Sequence, residues 1–275
     1  MSANLPTWLQ LTVVGTAIST LGALLGILLK DYFFSRSFER WKQRQTLESI
    51  YQKYRDPLRL SARELASRTS EIVEHYPTVY LTTEALASRP ERQIENSIDD
   101  PYFRRYKLLS TVYRICAFLG WIELYRQEIT YLNSGRNTHS RELERAVELV
   151  RSDLADGQLN NAPDWDKWRD TLVFREELRA IGESMLELRG TVRTVIGYGK
   201  FVEQFDAADP SPTQRWAWVV SNFVLVLETK RPDFRKVRLQ RLVVHLVRLM
   251  ELLDEASIED NLVTARDKWA KQHNI

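Results

Sequence analysis

The sequence predicts an all-α protein, with a single N-terminal transmembrane helix followed by a multi-helix cytoplasmic bundle. Three observations predict it. From Pro6 to Leu29 no residue is charged, and basic residues follow directly. Beyond that, apolar residues recur at helical spacing in one segment after another, with no alternating pattern long enough for a strand. Ten glycines and nine prolines in 275 residues are also few for a fold built on many tight turns.

Composition narrows the function classes. With 44% hydrophobic and 28% charged residues the chain is globular in character, and its length supports a core without staples. A single cysteine, Cys116, excludes an internal disulfide framework and an all-cysteine metal site. A net charge of +2 gives no pull toward nucleic acid, which is not expected as a partner.

Residues 1–7 read as a short extracytoplasmic tail and 8–30 as the membrane helix. About 20 apolar residues at 1.5 Å rise cross the ~30 Å hydrocarbon layer. Trp8 at one end and Tyr32, Phe33 and Phe34 at the other suit the interfacial belts. A cleaved signal peptide would begin with basic residues. Here nothing before Lys30 is basic, whereas Lys30, Arg36, Arg40, Lys42 and Arg44 follow, so the expected topology is N-terminus out and domain in. Gly15, Ser19, Gly22 and Gly26, spaced by 4, 3 and 4, share one helix face, and Gly22 and Gly26 form a GxxxG pair that lets two backbones approach.

Residues 31–56 read as a juxtamembrane helix, with Phe34, Phe38, Trp41, Leu47, Ile50, Tyr51 and Tyr54 at helical spacing. Its basic residues between Lys30 and Lys53 suit anionic headgroups, at about 1 kcal/mol each. Pro57 is expected to end or kink this helix, and Asp56 to cap the next.

Residues 57–255 then form the bundle. The segment 77–101, with Pro77, Pro90 and Pro101, reads as a loop. Tyr102 to Leu132 is the central helix, because Ile115 to Ile122 is apolar nearly all round. Arg141 to Ala155 is a shorter amphipathic helix; Trp165 to Leu188 and Thr191 to Phe205 read as two more, on either side of Gly190. Gln214 to Glu228 is apolar but too short to span a bilayer, so it belongs in the core. Leu239, Leu242, Leu246, Leu249 and Leu253 make an a/d-like stripe for packing in the bundle or against a second chain. Residues 256–275 read as a polar tail with one amphipathic turn around Leu262 and Trp269.

The search for chemistry returns little. His75, His139, His245 and His273 show no HxxxH or HExxH spacing, so neither metal nor cofactor is expected. His245 suits a satisfied bundle histidine better than a catalytic one, and Cys116 suits a small buried hydrophobe. Gly197-Tyr-Gly199-Lys200 lacks the length of a phosphate loop and reads as close helix packing. No catalytic residue is assigned.

Arg55, Asp56, Arg63, Glu64 and Arg68 cluster around Pro57, and Glu123, Arg126, Arg179 and Glu183 could meet them inside the bundle. Such a polar interior either fixes helix register or forms a ligand pocket. Lys230, Arg231, Arg235, Lys236, Arg238 and Arg241, against one Asp233, read as a basic surface for headgroups, RNA or an acidic partner, or as the solvated start of the last long helix.

The strings Tyr54-Arg-Asp-Pro-Leu58, Leu119-Gly-Trp-Ile-Glu-Leu-Tyr-Arg126, Phe174-Arg-Glu-Glu-Leu-Arg-Ala-Ile-Gly-Glu183 and Ile196-Gly-Tyr198 resemble those of a loosely defined group of bacterial helical-domain proteins. The resemblance implies one shared domain over most of residues 50–250 and brings no catalytic residue or ligand, and the membrane span departs from that group; the span and its basic flank give a bacterial inner membrane as the expected location. The functional expectation is a membrane-anchored interaction protein that self-associates or docks a protein partner. The alternatives are a membrane effector or sensor responding to a ligand, and a membrane-bound enzyme working from a carboxylate–arginine cluster.

Overall fold

The charge-free stretch folds as one helix, α1 (Thr7–Leu29). The computed structural model describes residues 7–30, 35–74, 81–87, 100–129, 138–155, 171–227, 233–254 and 258–275. The chain divides into two compact units, one ending at Ser49 with residues 132–135 added, the other formed by Ile50–Tyr131 and Arg136–Ile275. In the first unit Val14, Ile18, Leu21, Leu24, Leu25 and Ile27 of α1 are all more than half exposed. A side chain at Gly15, Gly22 or Gly26 would meet nothing. The hydroxyls of Thr16 and Thr20 donate to the carbonyls of Thr12 and Thr16, at 2.6 and 2.7 Å, so the helix satisfies these polar groups itself.

Helix α2 (Ser35–Glu74) runs 40 residues with Pro57 inside it. Of the two expectations for Pro57, an end or a kink, the end is corrected. Pro57 costs the hydrogen bond to the Lys53 carbonyl, but Tyr54, Leu58, Ala62, Leu65 and Ala66 bury one face across it, and that packing holds both sides in one helix. Asp56 caps nothing; it is exposed and pairs with Arg55 at 3.2 Å. The second compact unit takes in α2 from Ile50 onward.

The second unit is built around α4 (Pro101–Ile129), whose Leu108, Val112, Cys116, Phe118 and Leu119 are almost completely buried. It is long and apolar enough to cross a bilayer, but 83% of its most apolar window is buried by the rest of the chain, as expected of the central helix. Around it lie α3 (Glu84–Ala87), α6 (Arg175–Ser184), α7 (Tyr198–Phe205) and α8 (Pro212–Val224). Helix α5 (Thr138–Leu154) packs on α6 and on α9 (Phe234–Leu253), and α9 packs on α10 (Asp260–His273). The expected start of a helix at 165–170 and parts of the expected loop at 77–101 lie outside the described residues.

Two further expectations are corrected. The segment 186–195 is not helical: β1 (Leu186–Arg189) and β2 (Val192–Val195) pair antiparallel, Arg189 opposite Val192. Gly190 takes φ +62° at the first position of the two-residue turn, and the β-branched Val192, Thr194 and Val195 favour a strand after it. The C-terminal tail is a 14-residue helix, α10, that buries Leu262, Ala265 and Trp269.

The leucine stripe is wholly internal. Leu239, Leu242, Leu246, Leu249 and Leu253 are each no more than 4% exposed, so they pack the bundle and offer nothing to a second chain.

Candidate functional site

The second unit carries two adjoining concavities on the first half of α4. Residues 102, 106 and 109 fall on one face, while 107, 110 and 114 fall on the neighbouring face, with Tyr106 at the seam. The polar cleft, about 250 Å³, lies between α4 and α2. From α2 come Arg63, Glu64, Ser67, Arg68 and Glu71, one helix face at spacings near 4.

Arg68 is the buried member, 3% exposed. Its Nε donates to Thr111 Oγ1 at 2.7 Å, its Nη2 to the Lys107 carbonyl at 3.4 Å, and its Nη1 lies 2.6 Å from Glu71. Lys107 Nζ reaches the other Glu71 oxygen at 2.8 Å. Burial pushes the Glu71 carboxyl up, but the bonds from Lys107 and Arg68 outweigh it and hold the group below the ordinary carboxylate range. Arg63 pairs with Glu259 at the start of α10, at 3.0 Å. Arg114 differs. Among the described residues it has no carboxylate partner, and its hydrogen bond is a 3.4 Å contact to the Ser110 carbonyl one turn back.

The second concavity, about 300 Å³, is aromatic: Tyr102, Tyr106 and Tyr198 line it with Leu109 and Val202. Tyr198, at the start of α7, stands edge-on to Tyr106 and Tyr113, with ring centroids at 5.9 and 5.4 Å. Burial, then the nearby Tyr106 and Tyr102 hydroxyls, push its phenol up to about 12. Arg105 closes the floor, paired with Asp206 and donating to the Leu86 carbonyl at 3.0 Å.

The structure thus brings Arg63, Glu64 and Arg68 into one cleft, as the sequence suggested, and leaves Arg55 and Asp56 outside it. It does not bring Glu123 and Arg126 there. These lie about 18 Å further along α4 than Thr111, where Arg126 grips Glu123 through Nε at 2.8 Å and Nη2 at 2.5 Å and Gln127 donates to the same carboxylate at 2.9 Å. Glu123 is 3% exposed, and both its oxygens accept hydrogen bonds from residues of α4 itself. Arg179 and Glu183 are exposed on α6.

The expected basic surface is corrected at two residues. Arg238 is 5% exposed and donates to the carbonyls of Asp153 and Ala155, at 2.8 and 2.6 Å, closing the C-terminus of α5. Arg235 is 7% exposed and donates to the carbonyls of Leu225 and Val226, at 2.8 and 3.1 Å, closing α8 beside the positive-φ residue Val226. Orphan helix carbonyls attract buried guanidinium groups for the same reason they attract C-terminal cations. Lys236 and Arg241 are partly exposed; Lys230 and Arg231 lie outside the described residues.

His245 and Cys116 are buried as the sequence suggested, while the Asp153 partner and several other residues went unseen. His245 is buried with its Nδ1 2.5 Å from Asp153, 92 residues away, a pairing that no local spacing announces. Burial pushes the Cys116 thiol far up, which leaves it an inert hydrophobe. Gly197 and Gly199, read as close-packing glycines, stand in open space, whereas a Cβ on Gly182 would lie 2.7 Å from the Leu119 carbonyl oxygen. Tyr102, Tyr106, Lys107, Tyr198 and Glu259 were not singled out; only the i, i+4 pair Tyr102 and Tyr106 left a trace in the sequence. Compared with models of known families, with curated proteins and with solved structures, the chain matches none, so a functional reading stands on this geometry alone.

Proposed function

We propose that the chain is a single-pass membrane protein whose helical domain works at the cytoplasmic face of a bacterial inner membrane, where it self-associates or docks a protein partner. One observation carries the reading: α1 is free of charge over Thr7–Leu29, and among its described side chains the large apolar ones from Val14 to Ile27 are more than half exposed. Left in water, such a surface would be costly; a bilayer removes it at roughly 25 cal/mol per Å². The internal bonds of Thr16 and Thr20 suit a helix in hydrocarbon, where no water satisfies a hydroxyl. Exposed Lys30, Lys42 and Arg44 directly after the span favour the inside orientation and anionic headgroups. The open face of Gly15, Ser19, Gly22 and Gly26 supports pairing through the span, a role that the buried leucine stripe cannot take.

The reading is tested by washing membranes from expressing cells at alkaline pH. Retention of the full chain in the pellet, with release only by detergent, is expected; a chain soluble without detergent would contradict it.

The polar cleft and tyrosine pocket favour a second reading, in which the anchored domain senses a ligand and passes the occupancy to a partner.

A further inference from the structure

We propose that the paired concavities astride Tyr106 form one binding site for a mononucleotide, with the base among Tyr102, Tyr106 and Tyr198 and the phosphate at Arg114 and Arg63. The site lies wholly within the second unit, so the inference does not depend on membrane anchoring.

Charge comes first. The cleft is lined by four cations, Arg63, Arg68, Lys107 and Arg114, and three carboxylates, Glu64, Glu71 and Glu259. Glu71 takes both Arg68 and Lys107, and Glu259 takes Arg63. That leaves the exposed Glu64 carboxylate at the rim and, on a largely buried helix, the Arg114 guanidinium with a single long bond to Ser110. A guanidinium presents a planar fork that matches a phosphate oxyanion with two parallel hydrogen bonds. Arg63, on the exposed rim, can swing from Glu259 to share that anion.

Shape comes second. An inorganic ion would fill only the polar compartment. Across Tyr106 lies a hollow of similar size walled by tyrosine rings, with Leu109 and Val202 beneath. Phenol faces of this kind take a planar base by stacking, without needing a particular edge pattern. Gly199 keeps one wall low, since a Cβ there would meet nothing. The two volumes, about 250 and 300 Å³, together lie within the roughly 300–1,000 Å³ of small-molecule sites. They suit a single nucleotide and not a polymer.

The test is calorimetric titration of the full chain in phospholipid-free detergent and phosphate-free buffer with AMP, GMP, adenosine and inorganic phosphate. At least one mononucleotide is expected to bind with micromolar affinity, and both adenosine and phosphate alone about tenfold or more weaker. Arg114→Gln should weaken the nucleotide about tenfold or more and Arg114→Lys by less, because Lys keeps the charge and loses the fork. Tyr106→Ala, at a ring already 39% exposed, should weaken nucleotide and adenosine while leaving phosphate unchanged. Unaltered thermal unfolding of these variants separates a lost site from a lost fold. Absence of mononucleotide binding below millimolar concentration, phosphate binding as tightly as nucleotide, or indifference to both Arg114→Gln and Tyr106→Ala would each overturn the proposal.

Discussion

At Gly182 the backbones of α4 and α6 touch. A Cβ there would sit 2.7 Å from the Leu119 carbonyl oxygen and 3.0 Å from Glu123 Cβ, and neither is the free end of a flexible side chain. Gly182→Ala is therefore predicted to destabilise the fold by about 1–3 kcal/mol, because the helices must separate to admit one methyl. Urea denaturation of the variant checks this; an unchanged midpoint would show that the crossing can yield. The glycine pair 197/199, by contrast, tolerates side chains on steric grounds. The string Ala180-Ile-Gly-Glu183 looks no different from any helical segment, since crowding at a glycine depends on what crosses it. The same limit applies to Arg235 and Arg238. In sequence they belong to a run of positive charge, and only the positions of the α5 and α8 carbonyl ends turn them inward.

Among the elements, legibility followed the strength of the apolar pattern. Helices α4, α8 and α9 were readable because each carries enough large apolar residues to require burial on its own account. Pro57 does not end α2, because the apolar face that spans it is packed on both sides, which no single residue type announces. The hairpin was hidden for the opposite reason: four-residue strands are too short for alternation to show, and the turn is marked by Gly190 alone. The last helix, α10, looked like a polar tail because only three of its residues are buried, yet they dock it on α9.

That docking also has a titratable contact, His273 Nε2 to Gln240 Oε1 at 2.8 Å. Burial and the neighbouring Arg241 hold the imidazole below its ordinary value of 6.5. Above that pH both folded and unfolded chains carry a neutral imidazole. As pH falls below it, the unfolded chain takes the proton first, so stability is lost on acidification through the depressed folded value. The unfolding free energy should fall between about pH 7 and 5, and His273→Gln should flatten that decline. Equal slopes for the two chains would remove His273 from the account. Losses at lower pH belong to other groups, since Glu71 and Glu128 are held below their ordinary values and lose their ion pairs only as they protonate.

For the molecule as a whole, the partition of apolar surface is the decisive feature. The second unit buries its leucine stripe, Cys116, Trp269, Phe118, Phe201, Phe205 and Phe223 internally, while the described side chains of α1 from Val14 to Ile27 stay exposed. The polar residues around Pro57 were legible as a pocket-forming set only in part. The sequence shows that Arg63, Glu64 and Arg68 share a face, but not that α4 delivers Lys107, Arg114 and a tyrosine pocket to the same place.

Under the proposed reading, self-association falls to α1, because the leucine stripe is internal. The most direct measurement is the native mass of the full chain in mild detergent, beside the double variant Gly22→Leu, Gly26→Leu. The account predicts an oligomer for the parent chain and a monomer for the variant, because bulk on the small-residue face keeps the backbones apart. A monomeric parent chain, or an oligomer that survives both substitutions, would contradict it.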